Sequence, residues 1–221
     1  AESGLFHSFP YIYSPDVEAQ KARNGKLGFA YSIHALRLAA GLFSTTLANT
    51  AAYFEDVAEG EPFVRVAGPD LKTRGYNLSA GFEGAQARAG VTFTHTDVEY
   101  NNAGIGTTAF TYGSPVGDIF KLHASYALPA FGVKVGATSE IALKYDYSVD
   151  SGNNDLDGYE AVTVYADWRP TFYSPLSLRL EANNLLDAEY VNRFSAGGSL
   201  GFVSALKDPG RSIVLSTRIV F

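Results

Sequence analysis

The amino-acid sequence predicts an all-β protein, a transmembrane antiparallel β-barrel of which about nine strands are present. Three observations predict it. Nine segments alternate apolar and polar residues with the strand period of two, and their apolar faces carry almost no charge. The segments are mostly near ten to fifteen residues long, roughly twice the usual length of a strand in a soluble sheet. The connections between them alternate between short and long, the rhythm of a barrel with tight periplasmic turns and long extracellular loops.

The segments run over 20–32, 35–49, 71–83, 86–100, 117–128, 131–147, 158–169, 175–186 and 210–221. In the third, Tyr76, Leu78, Ala80 and Phe82 oppose Asn77, Ser79 and Gly81. In the fifth, Phe120, Leu122, Ala124, Tyr126 and Leu128 oppose Lys121, His123 and Ser125. The sixth places Val133, Val135, Ala137, Ser139, Ile141, Leu143, Tyr145 and Tyr147 outward and Lys134, Thr138, Glu140, Lys144 and Asp146 inward. The eighth sets Leu176, Leu178, Leu180 and Ala182 against Ser177, Arg179, Glu181 and Asn183. The ninth aligns Ile213, Leu215, Thr217, Ile219 and the terminal Phe221 on one face, with Ser212, Ser216 and Arg218 on the other. Short connections fall at 32–35, 83–85, 129–130 and 170–174, and long ones near 54–70, 101–116, 148–157 and 187–209, where Gly, Asn, Asp and Pro supply the turns. Phe82, Tyr126, Phe131, Trp168 and Phe172 are expected at the periplasmic interface, and Tyr53, Tyr100, Tyr145, Tyr147 and Tyr159 at the outer one.

Composition removes other classes. No run of about eighteen apolar residues exists, which excludes a transmembrane helix and leaves a barrel open. The net charge of −6 comes without a basic cluster, which argues against nucleic acid. Cys is absent, and with it disulfides, thiolate metal sites and a cysteine nucleophile. Met is absent, position 1 included, and no signal peptide opens the chain, so a processed or partial polypeptide is expected. If Phe221 ends in the periplasm, the first strand runs inward from the cell surface and residues 1–14 are the remnant of an extracellular loop. Bacterial barrels have even strand numbers, so nine strands point to the C-terminal part of a larger barrel. A tenth strand within Leu5–Tyr13 would instead make a small closed barrel, a structural protein or passive pore. A soluble sandwich meets the difficulty that the charged face would have to be its only wet one.

Asn184-Leu-Leu-Asp-Ala-Glu-Tyr190, a long loop, Pro209-Gly210-Arg211 and a terminal aromatic strand together resemble the C-terminus of the TonB-dependent outer-membrane receptors. Asp157-Gly-Tyr159 with Asp167-Trp-Arg-Pro170 is similar to the preceding strand of that family, and Asp70-Leu-Lys-Thr-Arg-Gly-Tyr76 to a point of membrane re-entry. Pro15-Asp-Val-Glu18 and Gly25-Lys-Leu-Gly28 resemble the start of its C-terminal half, without the usual Pro-Glu pair or the Glu before Leu-Gly. The resemblance implies a barrel of about twenty-two strands filled by an N-terminal plug. Residues 15–221 would be its C-terminal portion, with the plug domain absent. It implies an outer-membrane location in a Gram-negative bacterium and TonB-driven uptake of a scarce ligand such as a ferric siderophore or haem. The expected partners are outer-membrane lipid, the remaining strands and plug of the same receptor, the TonB system through that plug, and the iron chelate or haem itself.

Site residues follow from these readings. Arg179, Glu181, Asp167, Lys134, Glu140, Lys144 and Arg218 face the lumen, where they meet water, one another or a plug. Leu215, Thr217, Ile219 and Phe221 form an assembly signal for membrane insertion. Asn101, Asn102 and Tyr112, in a polar Gly-rich loop, are candidates for ligand contact. No catalytic, metal or resident cofactor site is expected. The four histidines (His7, His34, His95 and His123) share no ligand spacing, and a loop histidine such as His7 is the position from which haem could be held. The Asp-rich stretch Asp150–Asp157 lacks the spacing and terminal Glu of a calcium loop. A barrel hydrolase would need His95 beside Thr94 and Thr96, or His123 beside Ser125, and sequence neighbours in a strand point to opposite faces.

Overall fold

The computed structural model describes residues 11–13, 18–49, 51–53, 63–67, 70–100, 103–104, 117–149, 152–173, 175–193 and 207–220. In chain order its strands are β1 (Tyr11–Tyr13), β2 (Lys21–Ile33), β3 (Leu36–Ala48), β4 (Ala51–Tyr53), β5 (Phe63–Ala67), β6 (Leu71–Glu83), β7 (Ala87–Tyr100) and β8 (Ala103–Gly104). There follow β9 (Gly117–Leu128), β10 (Val133–Ala142), β11 (Tyr145–Val149), β12 (Gly152–Leu156), β13 (Tyr159–Trp168), β14 (Leu176–Asn183) and β15 (Ser212–Ile219). No described helix is long and apolar enough to cross a membrane.

Nine of these strands form one wall, hydrogen-bonded in the order β2-β3-β6-β7-β9-β10-β13-β14-β15. Every pair in that wall is antiparallel and follows chain order, the arrangement of an up-and-down meander. The nine wall strands lie within a few residues of the nine alternating segments. The wall is open. Among the described residues β2 pairs only with β3, and β15 only with β14, so the tenth strand of a small closed barrel is not found there. Tyr11–Tyr13 pairs instead with β5, in parallel, and β5 pairs with β4, making a small sheet apart from the wall.

Register keeps each face in one piece across the sheet. Ile33, Leu36, Phe82, Ala89, Ala124, Ala137, Val164, Ala182 and Ile213 make one row that crosses all nine wall strands without a polar residue. A slip of one residue anywhere in the sheet would turn a strand's apolar set to the wrong side, which is why alternation this consistent pins the register. The face that holds this row carries exposed apolar side chains: Leu27, Phe29, Ile213 and Leu215 are each about two-thirds or more accessible. Large apolar side chains standing open over a whole sheet face are unstable in water and stable against hydrocarbon. Toward the long connections this face turns polar. Arg74, Asp97, His95 and Asp118 share the apolar parity there, with His95 Nδ1 2.6 Å from Asp118 and Nε2 3.3 Å from Asp97. Toward the short turns it ends in exposed Phe82, Tyr126, Phe131, Trp168 and Phe172, the expected aromatic girdle.

Two expectations need correction. The sixth segment does not run to Tyr147: its wall strand stops at Ala142, and Tyr145–Val149 pairs with Gly152–Leu156 as a separate hairpin. Two residues without strand geometry, Leu143 and Lys144, interrupt the alternation, and periodicity alone does not report such a break. Tyr159 is likewise not an outer-interface anchor. It has inward parity and is 8% exposed, because its partners in β10 and in the chain after β14 cover it. Tyr145 sits against Gly117 past the end of the wall strand, and the side chains of Tyr53, Tyr100 and Tyr147 lie outside the described residues.

Candidate functional site on the inner wall

The inner face of the wall carries two polar groups at different heights. The lower one lies near the short turns, where Lys134, Asp167, Arg179 and Ser216 stand in one cross-strand row. Arg179 is its hub: Nη1 donates to Asp167 at 3.2 Å, and Nε and Nη2 donate to Glu181 Oε2 at 2.8 and 2.7 Å. The guanidinium lies over the Tyr165 ring, 4.2 Å from its centroid, and Lys134 Nζ approaches the same ring at 5.8 Å. The ring can lie on the wall because residue 136 is glycine, where a Cβ would stand 2.5 Å from Tyr165 Cζ. Two cations, two carboxylates and one aromatic face are thus held in a fixed pattern. The pattern stays open to the lumen: Arg179 and Asp167 retain side-chain exposures of 42% and 31%. Arg218 shares the inward parity from β15, opposite Ser177, and is exposed.

The upper group lies near the long connections. Lys121 Nζ is 3.0 Å from Glu140, and the Tyr159 hydroxyl donates to Glu140 at 2.6 Å. Ile119, Ala142 and Tyr159 form a buried apolar cluster there, and Tyr190 stacks on Tyr159 with ring centroids 4.3 Å apart. Arg193 is 3% exposed, donates from Nη2 to the carbonyls of Leu143 and Asp157, and gives its backbone N–H to the Tyr159 hydroxyl. The upper group is therefore a wall cluster roofed by the chain that follows β14.

That chain is shaped by the Asn184–Tyr190 motif. Asn184, at φ +47°, is 5% exposed; its amide donates to the carbonyls of Ala188 and Pro209, and its Oδ1 accepts from the Ala188 N–H. An Asn tolerates the left-handed conformation and closes the turn on itself. Asp187, at φ +56°, accepts from the backbone N–H of Arg211, one residue before β15. The motif is thus a turn that fastens the start of the last strand to the end of the one before. Glu189 meets Lys207, and that hydrogen bond lowers its pKa from the ordinary carboxylate value. Burial and an Asp208 hydrogen bond push the Tyr190 hydroxyl up to about 12.

The structure brings Lys134, Asp167, Arg179 and Glu181 together and places Glu140 in the other group. Lys144 lies exposed beyond the end of β10, in the link to β11, and has no place in the wall row expected for it. Leu215, Thr217 and Ile219 fall on the outward face of β15, opposite Leu180, Leu178 and Leu176. Phe221, Asn101, Asn102, Tyr112 and His7 lie outside the described residues, as does Asp150. His95 is turned to the outward face beside Tyr76, while His123 has inward parity opposite Gly90 and Thr138. The sequence reading missed Tyr165, Tyr190 and Arg193 as wall-organising residues. Tyr165 was accessible to it, two positions from Asp167 on the same face; Arg193 sits in a connection where no period exists to read.

Comparison with known proteins agrees with this geometry. A family model described as TonB dependent receptor-like, beta-barrel, matches residues 4–185. The heme transporter BhuA of Brucella abortus (strain 2308) is 27% identical over 227 residues, covering 100% of this chain and 32% of BhuA. Among solved structures, the FrpB iron transporter from Neisseria meningitidis (F5-1 variant) superposes with a TM-score of 0.78 at 19% identity, over 95% of this chain and 33% of that one. The ferripyoverdine receptor of Pseudomonas aeruginosa gives 0.65 at 19% identity, over 92% and 27%. The chain spans about a third of the length of the curated relatives it matches. An open wall of antiparallel strands, apolar outside and charged within, is what such a portion of a larger barrel must be, and the chain belongs to the TonB-dependent receptor β-barrel family.

Proposed function

We propose that this chain is the C-terminal wall of an outer-membrane receptor that imports an iron-bearing ligand, haem before a ferric siderophore, with energy delivered through TonB. The observation that carries the reading is the open, lipid-grade wall in a chain of this family. Among the described residues the free edges of β2 and β15 have no strand partner, a condition that hydrocarbon does not tolerate, so further strands of the same receptor complete the ring. The order of ligands rests on BhuA, whose name is that of a heme transporter and which aligns with the whole chain. Residues 15–221 are then the barrel portion, with residues 1–14 in an extracellular connection. The lower group around Arg179 is the surface offered to the plug, and the upper group belongs to the mouth. Asn101, Asn102 and Tyr112 remain loop candidates for ligand contact, and no reaction is catalysed by this wall.

The test is growth. Deleting the gene in its bacterial host is expected to abolish growth on haem as the iron source and to leave growth on inorganic iron unchanged. Unchanged growth on haem, with loss on a ferric siderophore, would replace the ligand; loss on neither would remove the transport reading. Leu215, Thr217, Ile219 and the terminal Phe221 serve in assembly. Removing Phe221 is expected to reduce the heat-modifiable, membrane-inserted fraction, whereas Ser216→Thr on the inner face leaves it unchanged. Equal yields from the two variants would end the assembly role.

A further inference from the structure

We infer that Arg193 and Tyr190 form a clasp that makes the described ends of two connections of this wall, the one between β10 and β13 and the one between β14 and β15, move as one body. The β10–β13 ladder ends at the pair Ala142 and Tyr159. Beyond it the carbonyls of Leu143 and Asp157 have run out of strand partners, and the chains stay close because residue 158 is glycine, where a Cβ would meet the Ala142 carbonyl at 2.9 Å. Arg193, fifty positions along the chain from Leu143, takes both carbonyls with Nη2, at 2.7 Å to Leu143 and 2.9 Å to Asp157. Two carbonyls left at the end of a ladder must be met by donors, and Arg193 Nη2 meets both.

The clasp has a second jaw. The Arg193 N–H donates to the Tyr159 hydroxyl at 3.3 Å, and Tyr190 covers the Tyr159 ring. From the other side the Tyr190 carbonyl accepts from the Asp208 N–H at 2.9 Å, and Asn184 and Asp187 bind Pro209 and Arg211. The residues on both sides of the second connection are therefore tied together and, through Arg193, tied to both sides of the first. This device is independent of the ligand and of the transport reading.

The test uses the complete receptor that carries this segment, folded in detergent, with spin labels at Leu186→Cys and Asp157→Cys, both exposed positions. The starting protein is expected to show one narrow distance distribution. Arg193→Met, which keeps an apolar stem and removes every side-chain donor, is expected to widen it about twofold. Tyr190→Leu, which leaves the guanidinium in place, is expected to widen it less, and Glu189→Gln, which removes an exposed bridge to Lys207, not at all. Distributions as narrow as the starting protein's in both Arg193→Met and Tyr190→Leu would overturn the clasp. Should Arg193→Met not assemble, Tyr190→Leu alone decides by the same criterion.

Discussion

The two polar groups of the inner wall are built from the same kinds of residue and are finished differently. Around Arg179 the wall supplies cations, carboxylates and an aromatic ring, and leaves them open to the lumen. Around Tyr159 it supplies Lys121, Glu140 and an aromatic ring, and the chain after β14 returns to cover that ring with Tyr190 and Arg193. The difference teaches where stability and function part. The upper group is completed within this chain and joins the chain after β14 to the end of the β10–β13 ladder. The lower is paired within itself but uncovered, the condition of a surface that another domain can meet.

The comparison breaks most severely at Arg193. Arg193→Met leaves two main-chain carbonyls without donors and is expected to cost about 2–4 kcal/mol in urea unfolding of the folded barrel. A loss equal to that of a lower-group substitution would erase the distinction between the groups. Gly136→Val is next. Its side chain has to occupy the place of the Tyr165 ring, so about 1–3 kcal/mol is expected, together with release of Arg179 from its ring contact. Tyrosine fluorescence and proteolysis of the inner face would read that release.

A pH series sharpens the comparison from the upper side. Burial, chiefly, raises the folded pKa of Tyr190 to about 12 from the 10.0 of an ordinary tyrosine. A group raised in this way adds stability that is whole below pH 10 and is lost as the pH climbs toward about 12. The upper connection is therefore expected to become protease-sensitive across that window, and Tyr190→Phe to flatten the transition. No such window is expected for the bridges around Arg179 over the same range. The smallest effect belongs to Asp167→Asn. Its pair with Arg179 is partly exposed, so a stability change of about 0–1 kcal/mol is expected. Uptake of the ligand should fall more than stability does, and a fall in stability without one in uptake would remove the proposed docking role of the lower group.

Much of the fold was legible in the chain because a bilayer imposes one rule on every wall strand. Each alternate residue from Leu27 on β2 to Ile219 on β15 must suit hydrocarbon through the lipid band, so parity survives translation into structure almost unchanged. The aromatics beside the short turns were legible for the same reason. The rule lapses where lipid ends. Beyond Ala142 the alternation of Tyr145 and Tyr147 belongs to a hairpin and not to the wall, and Tyr159 turns inward under Tyr190.

By itself the sequence determined the nine wall strands, the outward face and, through the Asn184–Tyr190 motif and the last strand, the family, because each is a local pattern of side chains along one stretch of chain. The tertiary structure alone decided which charges meet and which are covered. Asp167, Arg179 and Glu181 converge on Tyr165 through cross-strand register, and Arg193 finds the carbonyls of Leu143 and Asp157 from a connection with no period to read. Pairings of that kind depend on where a ladder stops and which distant segment arrives there, and neither is written in the spacing of residues along the chain.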